Sequence, residues 1–271
     1  MSLDQVALAP RAEPVRPAAD LVDFVVAAVG RARLAEAPFL HLELRNIFPD
    51  DVYAGLIAAM PSVADYRAMS GRSKSARRQD GTPTRVKIDL LPEFIRHLPA
   101  EKRQIWKRVG RALRSDKLRK AFVQRLAAGL EQRFGPGFAQ LGYYPIPILT
   151  RDTSGYSIQA HTDTHWKAIT VQIYLPPNGA IAHVGTVFHE RQASGQLRRV
   201  TQVSFAPNSG YAFAVGDDTW HSADLVGPEV ASRDSILLTY FLDAGTLRIL
   251  RNRGKRIGNF LLNELRHATR R

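Results

Sequence analysis

The residues best suited to chemistry lie in one short run, His-Thr-Asp-Thr-His at 161–165. Two imidazoles and a carboxylate this close can ligate a metal, relay a proton or be ordinary polar groups on the exposed face of a sheet. The backbone decides between them. The flanking chain alternates and is rich in β-branched and aromatic residues (Tyr156, Ile158, then Ile169, Val171, Ile173 and Tyr174), a pattern that fits strands. On a strand His161 and Asp163 point to the same side, with Thr162 turned away, and can converge on one ion. A helix would instead pair His161 with His165, but the alternation on both sides argues against it. Two histidines and one carboxylate form the facial set that holds iron(II) with open positions. The best third ligand is His221, which follows a turn later in the same β-rich half.

Composition limits what else the chain can be. With 271 residues, 45% of them hydrophobic, it can bury a full core as one large domain or as one domain with an added helical layer. It has no cysteine, so any metal must be held by His, Asp or Glu. The Ala- and Pro-rich start lacks the apolar centre of a secretory signal, which predicts a disordered leader over 1–19 and cytoplasmic residence. No apolar run approaches the roughly 18 residues that span a bilayer. The net charge of +13 and pI of about 10.4 invite a polyanion, an anionic surface or an anionic substrate.

The elements that must position the motif follow from patterning. Residues 20–140 read as a mainly helical support region: a helix over 20–34 with Asp20 as N-cap, a short strand in Pro-Phe-Leu-His-Leu-Glu-Leu, a helix after Phe48 capped by Asp50 or Asp51, and two basic amphipathic helices between Pro99 and Phe134. Residues 67–87, polar, basic and rich in Gly and Ser, read as a mobile loop. From Leu141 the chain breaks into about eight short β-like runs separated by turn residues, as in a double-sheet antiparallel jelly roll over 141–247. The turn Pro-Asn-Ser-Gly at 207–210 supplies residues that accept left-handed backbone positions. Residues 248–271 read as a basic helical tail. The fold class expected is α+β, with a jelly-roll core and an N-terminal helical layer.

Residues 141–245 resemble the iron(II)/2-oxoglutarate-dependent dioxygenases, in the prolyl-hydroxylase-like branch. They have in order His-x-Asp (His161, Asp163), a distant His (His221) and an Arg-x-Ser pair (Arg233, Ser235) opening a later strand. The resemblance implies a double-stranded β-helix and three cofactors and cosubstrates: Fe(II), 2-oxoglutarate and dioxygen (O2). It also implies that His161, Asp163 and His221 ligate the iron, that Arg233 and Ser235 hold the distal carboxylate of 2-oxoglutarate, and that Tyr174 hydrogen-bonds the same group. Halogenating relatives have a small residue in place of the carboxylate ligand, so Asp163 favours hydroxylation of an unactivated C–H.

Each residue also has a plainer reading. Tyr174 could pack in the core with its hydroxyl satisfied, and Trp166 and Trp220, which flank the ligands, could be buried packing area or pocket lining. His165 reads as a surface residue or a group at the pocket mouth, and Arg151 as a substrate anchor or the partner of Asp152. His183 and His189 read as structural. The charge favours an anionic substrate, free or carrier-bound, under a lid bearing Arg72, Lys74, Arg77 and Arg78. Nucleic acid is disfavoured, because the basic helices lack an aromatic stacking platform. The competing reading is a non-enzymatic basic jelly roll that binds nucleic acid or another polyanion. The sequence leaves the oligomeric state open.

Overall fold

The computed structural model describes residues 18–69, 77–243, 258 and 264–265. The N-terminal part runs α1 (Ala18–Arg31), β1 (Arg33–Ala35), β2 (His41–Arg45), α2 (Asp50–Ala58), β3 (Arg67–Ala68), β4 (Arg85–Asp89), α3 (Pro92–Ile95), α4 (Ala100–Leu113), α5 (Asp116–Arg125) and α6 (Ala127–Phe134). Then come the strands β5 (Tyr143–Asp152), β6 (Ile158–His161), β7 (Lys167–Tyr174) and β8 (Thr186–Arg191). The last four are β9 (Leu197–Val203), β10 (Ser209–Ala214), β11 (His221–Ala223) and β12 (Arg233–Leu242).

All the pairings are antiparallel. One sheet has eight strands in the order β1-β2-β10-β7-β12-β5-β4-β3, and the other has four in the order β6-β11-β8-β9. This is the α+β, double-sheet architecture the patterning predicts. Alternation along the strands gives the large sheet two different faces. Leu149, Val171, Ile173, Ile236 and Leu238 project toward the helices, where Leu21, Val25 and Val29 of α1 and Trp106, Val109 and Leu113 of α4 complete the main core. These helical residues recur at three- and four-residue spacing, so each helix presents one apolar stripe to the sheet. The opposite face meets the small sheet through a second cluster that includes Tyr174, Tyr211 and Phe213 from one side and Val184, Phe188 and Ala223 from the other. Phe188 stands edge-on to Tyr211 with ring centroids 5.1 Å apart.

Several expectations need correction. The N-terminal region also supplies β1 to β4, so the large sheet extends well beyond the jelly-roll segment. The basic stretch 67–87 begins in β3 and ends in β4, because the alternating Val86 and Ile88 pair with β5; its residues 70–76, with Arg72 and Lys74, lie outside the described residues. Asp20, Asp50 and Asp51 sit in the first turns of their helices, where they face the positive end of the helix dipole, and Pro49 precedes α2 without a side-chain cap. In the 207–210 turn only Asn208 has positive φ, at 50°. Gly210 is needed for room, since a Cβ there would lie 2.0 Å from the Gln172 carbonyl oxygen. The expected leader to residue 17 and nearly all of the C-terminal tail also lie outside the described residues. No helix among the described residues is long and apolar enough to cross a membrane.

Candidate metal centre

The two histidines are brought together by register. His161 ends β6 directly opposite His221, the first residue of β11, and their ring centroids are 4.4 Å apart. Asp163 follows two residues after the end of β6, and ligand atoms of His161, Asp163 and His221 all lie within 4.8 Å of one another. Each imidazole has its Nδ1 at a backbone carbonyl two residues earlier, His161 at Gln159 (2.8 Å) and His221 at Thr219 (2.9 Å). A carbonyl can only accept, so both Nδ1 atoms carry the proton and both Nε2 atoms present lone pairs. Outer hydrogen bonds of this kind fix the tautomer and ring orientation of metal-binding histidines.

The carboxylate is fixed from the other sheet. Lys167 Nζ donates to Asp163 Oδ1 and Thr170 Oγ1 donates to Oδ2, both at 2.6 Å, and both donors lie on β7. Burial pushes the Asp163 carboxyl up, but the Lys167 charge and these two bonds outweigh it and hold the group below the usual carboxylate range. Burial, partly opposed by Asp163, lowers the His221 imidazole and keeps it neutral, the form that binds a metal. Two neutral imidazoles and one ionised carboxylate are a donor set that fits iron(II).

Arg233 is 1% exposed at the start of β12. Its Nε donates to the Val184 carbonyl (2.7 Å), Nη1 to Asp152 Oδ2 (2.8 Å) and Nη2 to Thr186 Oγ1 (3.3 Å). The guanidinium lies over Tyr174 and Phe205, 5.6 and 4.9 Å from their centroids. Tyr174 donates its hydroxyl proton to Thr186 Oγ1 at 2.8 Å. Ser235 Oγ lies 2.9 Å from both Thr150 Oγ1 and Gln172 Nε2, and Tyr211 donates to Gln172 Oε1 at 2.7 Å. The Arg-x-Ser pair and Tyr174 therefore share one polar floor on the face of the large sheet that meets the small sheet.

Other expected residues are distributed differently. Arg151 pairs with Asp234, its cross-strand neighbour, through Nε at 2.7 Å, and stacks on Tyr66. It does not pair with Asp152, because the two are consecutive on β5 and point to opposite faces. His165 and Trp166 are exposed in the turn after Asp163, edge-on to each other with centroids 4.7 Å apart. Trp220 precedes His221, and its buried indole N–H has no protein partner. His189 donates to or accepts from Ser222 at 2.8 Å, in keeping with a structural role.

Arg85, outside the motif, joins this polar floor from β4. It stands on β4 opposite Asp152, donates to both carboxylate oxygens (Nη2 to Oδ2 at 2.8 Å) and lies over the Tyr156 ring at 4.3 Å. The alternation in Arg-Val-Lys-Ile-Asp at 85–89 is the signal that places it on a strand. A surface hollow of about 330 Å³ between α1 and β1–β2 is lined by Arg31, Arg33, Glu43 and Arg45 among others and contains none of these groups.

No family model and no curated protein matches the sequence. Among solved structures the chain is similar to a Pseudomonas putida prolyl-4-hydroxylase, with 16% identity, a TM-score of 0.48 and coverage of 80% of this chain and 98% of that one. It is also similar to a Trichoplax adhaerens prolyl hydroxylase in complex with a hypoxia inducible factor peptide fragment (11%, TM-score 0.48, 81% and 88%). A Burkholderia pseudomallei oxidoreductase of the 2OG-Fe(II) oxygenase family gives 13%, a TM-score of 0.43, and 83% and 90%. At these identities and TM-scores the chemistry rests on the residues themselves.

Proposed function

We propose that the chain is an iron(II)- and 2-oxoglutarate-dependent oxygenase that hydroxylates a C–H bond of a small substrate, anionic or carrier-bound. The observation that carries this reading is the meeting of His161, Asp163 and His221 within 4.8 Å, with both Nδ1 atoms tied to backbone carbonyls. A site built only for packing has no use for three such donors on one spot, one of them an ionised carboxylate, since burying charge is costly.

Iron(II) held by these three residues would supply the oxidising chemistry, with dioxygen as oxidant and 2-oxoglutarate decarboxylated to succinate. The protein's own part is positional. The Gln159 and Thr219 carbonyls aim the imidazoles, Lys167 and Thr170 aim Asp163, and Arg233, with Ser235 and Tyr174 beside it, offers a charged anchor for the distal carboxylate of the cosubstrate. His165 and Trp166, exposed in the turn after Asp163, are the side chains we assign to substrate contact; Arg151, bound to Asp234 on the other face, is not among them. For the basic stretch, Arg77 and Arg78 are described, and Arg78 bonds Thr153 Oγ1 at 3.0 Å.

Purified protein given iron(II), 2-oxoglutarate and oxygen should form succinate slowly even without its substrate. His161→Ala and Asp163→Ala should abolish both metal binding and succinate formation. Unchanged metal affinity in these variants would sink the assignment.

A further inference from the structure

Three residues on adjacent strands form a single row across the large sheet. Arg85 on β4 is in register with Asp152 on β5, and Asp152 is in register with Arg233 on β12. Asp152 is fully buried and accepts from both guanidiniums. Side-chain exposure is 13% for Arg85 and 1% for Arg233. The row therefore holds two positive charges and one negative charge, away from water.

Such a row is a poor way to stabilise a sheet. Each buried ion carries a desolvation penalty, and apolar residues of similar volume generally serve stability as well or better. The surplus charge is the informative part. An Arg233–Asp152 pair alone is neutral and offers little attraction to an incoming anion, because Asp152 already occupies the place of a carboxylate on that guanidinium. Arg85 binds the same carboxylate and returns the row to a net single positive charge. The surroundings suit a carboxylate too: Thr150, Ser235, Gln172, Tyr174 and Tyr211 form the hydroxyl and amide floor of the same face.

We propose that Arg85, Asp152 and Arg233 act as one clamp for the distal carboxylate of the cosubstrate, with Asp152 as the positioning residue and Arg85 as the source of the surplus charge. This rests on the oxygenase reading above and adds to it a residue from a strand outside the jelly-roll segment. Asp152 fixes the angle and spacing of two guanidiniums that would otherwise repel each other. The pair then presents more N–H donors than Asp152 can absorb.

The test is a binding measurement on manganese(II)-loaded protein, by titration calorimetry under nitrogen. Two ligands are compared: 2-oxoglutarate and 2-oxobutanoate, which keeps the keto-acid head and lacks the distal carboxylate. Arg85→Gln should weaken 2-oxoglutarate by about tenfold or more while leaving 2-oxobutanoate and manganese affinities unchanged. Arg85→Lys, which retains a charge on Asp152 without the bidentate geometry, should fall between the two and provides the readout should Arg85→Gln not fold. Wild-type affinity for 2-oxoglutarate in both variants overturns the clamp and leaves the oxygenase reading standing. Equal losses for both keto acids also overturn it, because they mark a general disturbance of the fold. If the wild-type protein binds manganese but neither keto acid, the oxygenase reading falls and the clamp falls with it.

Discussion

Lys167 and Asp163 form an ion pair at 2.6 Å that joins the two sheets at the proposed metal centre. The carboxylate follows the end of a small-sheet strand, and the ammonium projects from the first residue of a large-sheet strand. The pair preorganises Asp163, but it also cancels the one negative charge of the ligand set. Lys167→Gln should therefore act in opposite directions on two observables. The metal-free protein should lose about 1–3 kcal/mol, because a buried carboxylate loses its strongest donor, while manganese(II) affinity should rise severalfold as the competing cation disappears. A fall in affinity would show that aim matters more than charge.

Asp152 provides a stability prediction independent of catalysis. Asp152→Asn leaves two guanidiniums buried with no anion between them, and breaking a buried pair in this way costs about 3–5 kcal/mol. Chemical denaturation of the metal-free protein would measure it. A loss below about 1 kcal/mol would mean that water already screens the row.

Arg233→Ala should raise the apparent KM for 2-oxoglutarate by about tenfold or more, with a far smaller effect on iron affinity, since a bidentate guanidinium contact to a carboxylate is lost and no metal ligand is touched. Arg233→Lys should not restore it. Parallel losses of both affinities would assign Arg233 to the fold alone.

Acidification should destabilise the metal-free protein. His41, His189 and His221 are all lowered from the ordinary imidazole value, with burial as the largest cause. Their folded pKa values lie below the unfolded ones, so the unfolded chain takes up protons first as the pH falls past about 6.5. The stability they contribute is present above that point and is lost below it. His41, packed on Phe39 and Phe188 with centroids 5.7 and 4.8 Å away, is remote in role from the ligands. His41→Gln should flatten part of the slope, as read from denaturation midpoints between about pH 8 and pH 5. A wild-type midpoint that does not change across this window would contradict the argument.

The sequence made the jelly-roll half legible because its signals are local. Every β-like run after Leu141 became a strand, and the spacing of His161 and Asp163 needed only a strand's two-residue period to place both on one side. Pairing is not local. Nothing in the chain near His221 says that it will sit opposite His161, so their meeting could be inferred from the motif and not from the residues alone. Arg85 was hidden by its company: the basic, Gly- and Ser-rich composition of the preceding stretch masked a five-residue alternation that belongs to β4. Arg151 shows the limit of reading type without face. As a charged residue next to Asp152 it could have been a partner or an anchor, and only its opposite projection on β5 settles that it serves the helical side.

The placement of Arg85 bears on modularity. By composition, the chain divides cleanly near residue 141, into a helical scaffold and a portable jelly roll that carries the motif. The division falls between β4 and β5, whose residues are bonded across it, and separates the Arg85–Asp152 ion pair. A jelly roll excised or transplanted at that boundary would keep every motif residue and still lose one of the two cations flanking Asp152. The cooperative unit is therefore larger than the segment that carries the motif, and its edge is drawn by charge balance rather than by sequence pattern.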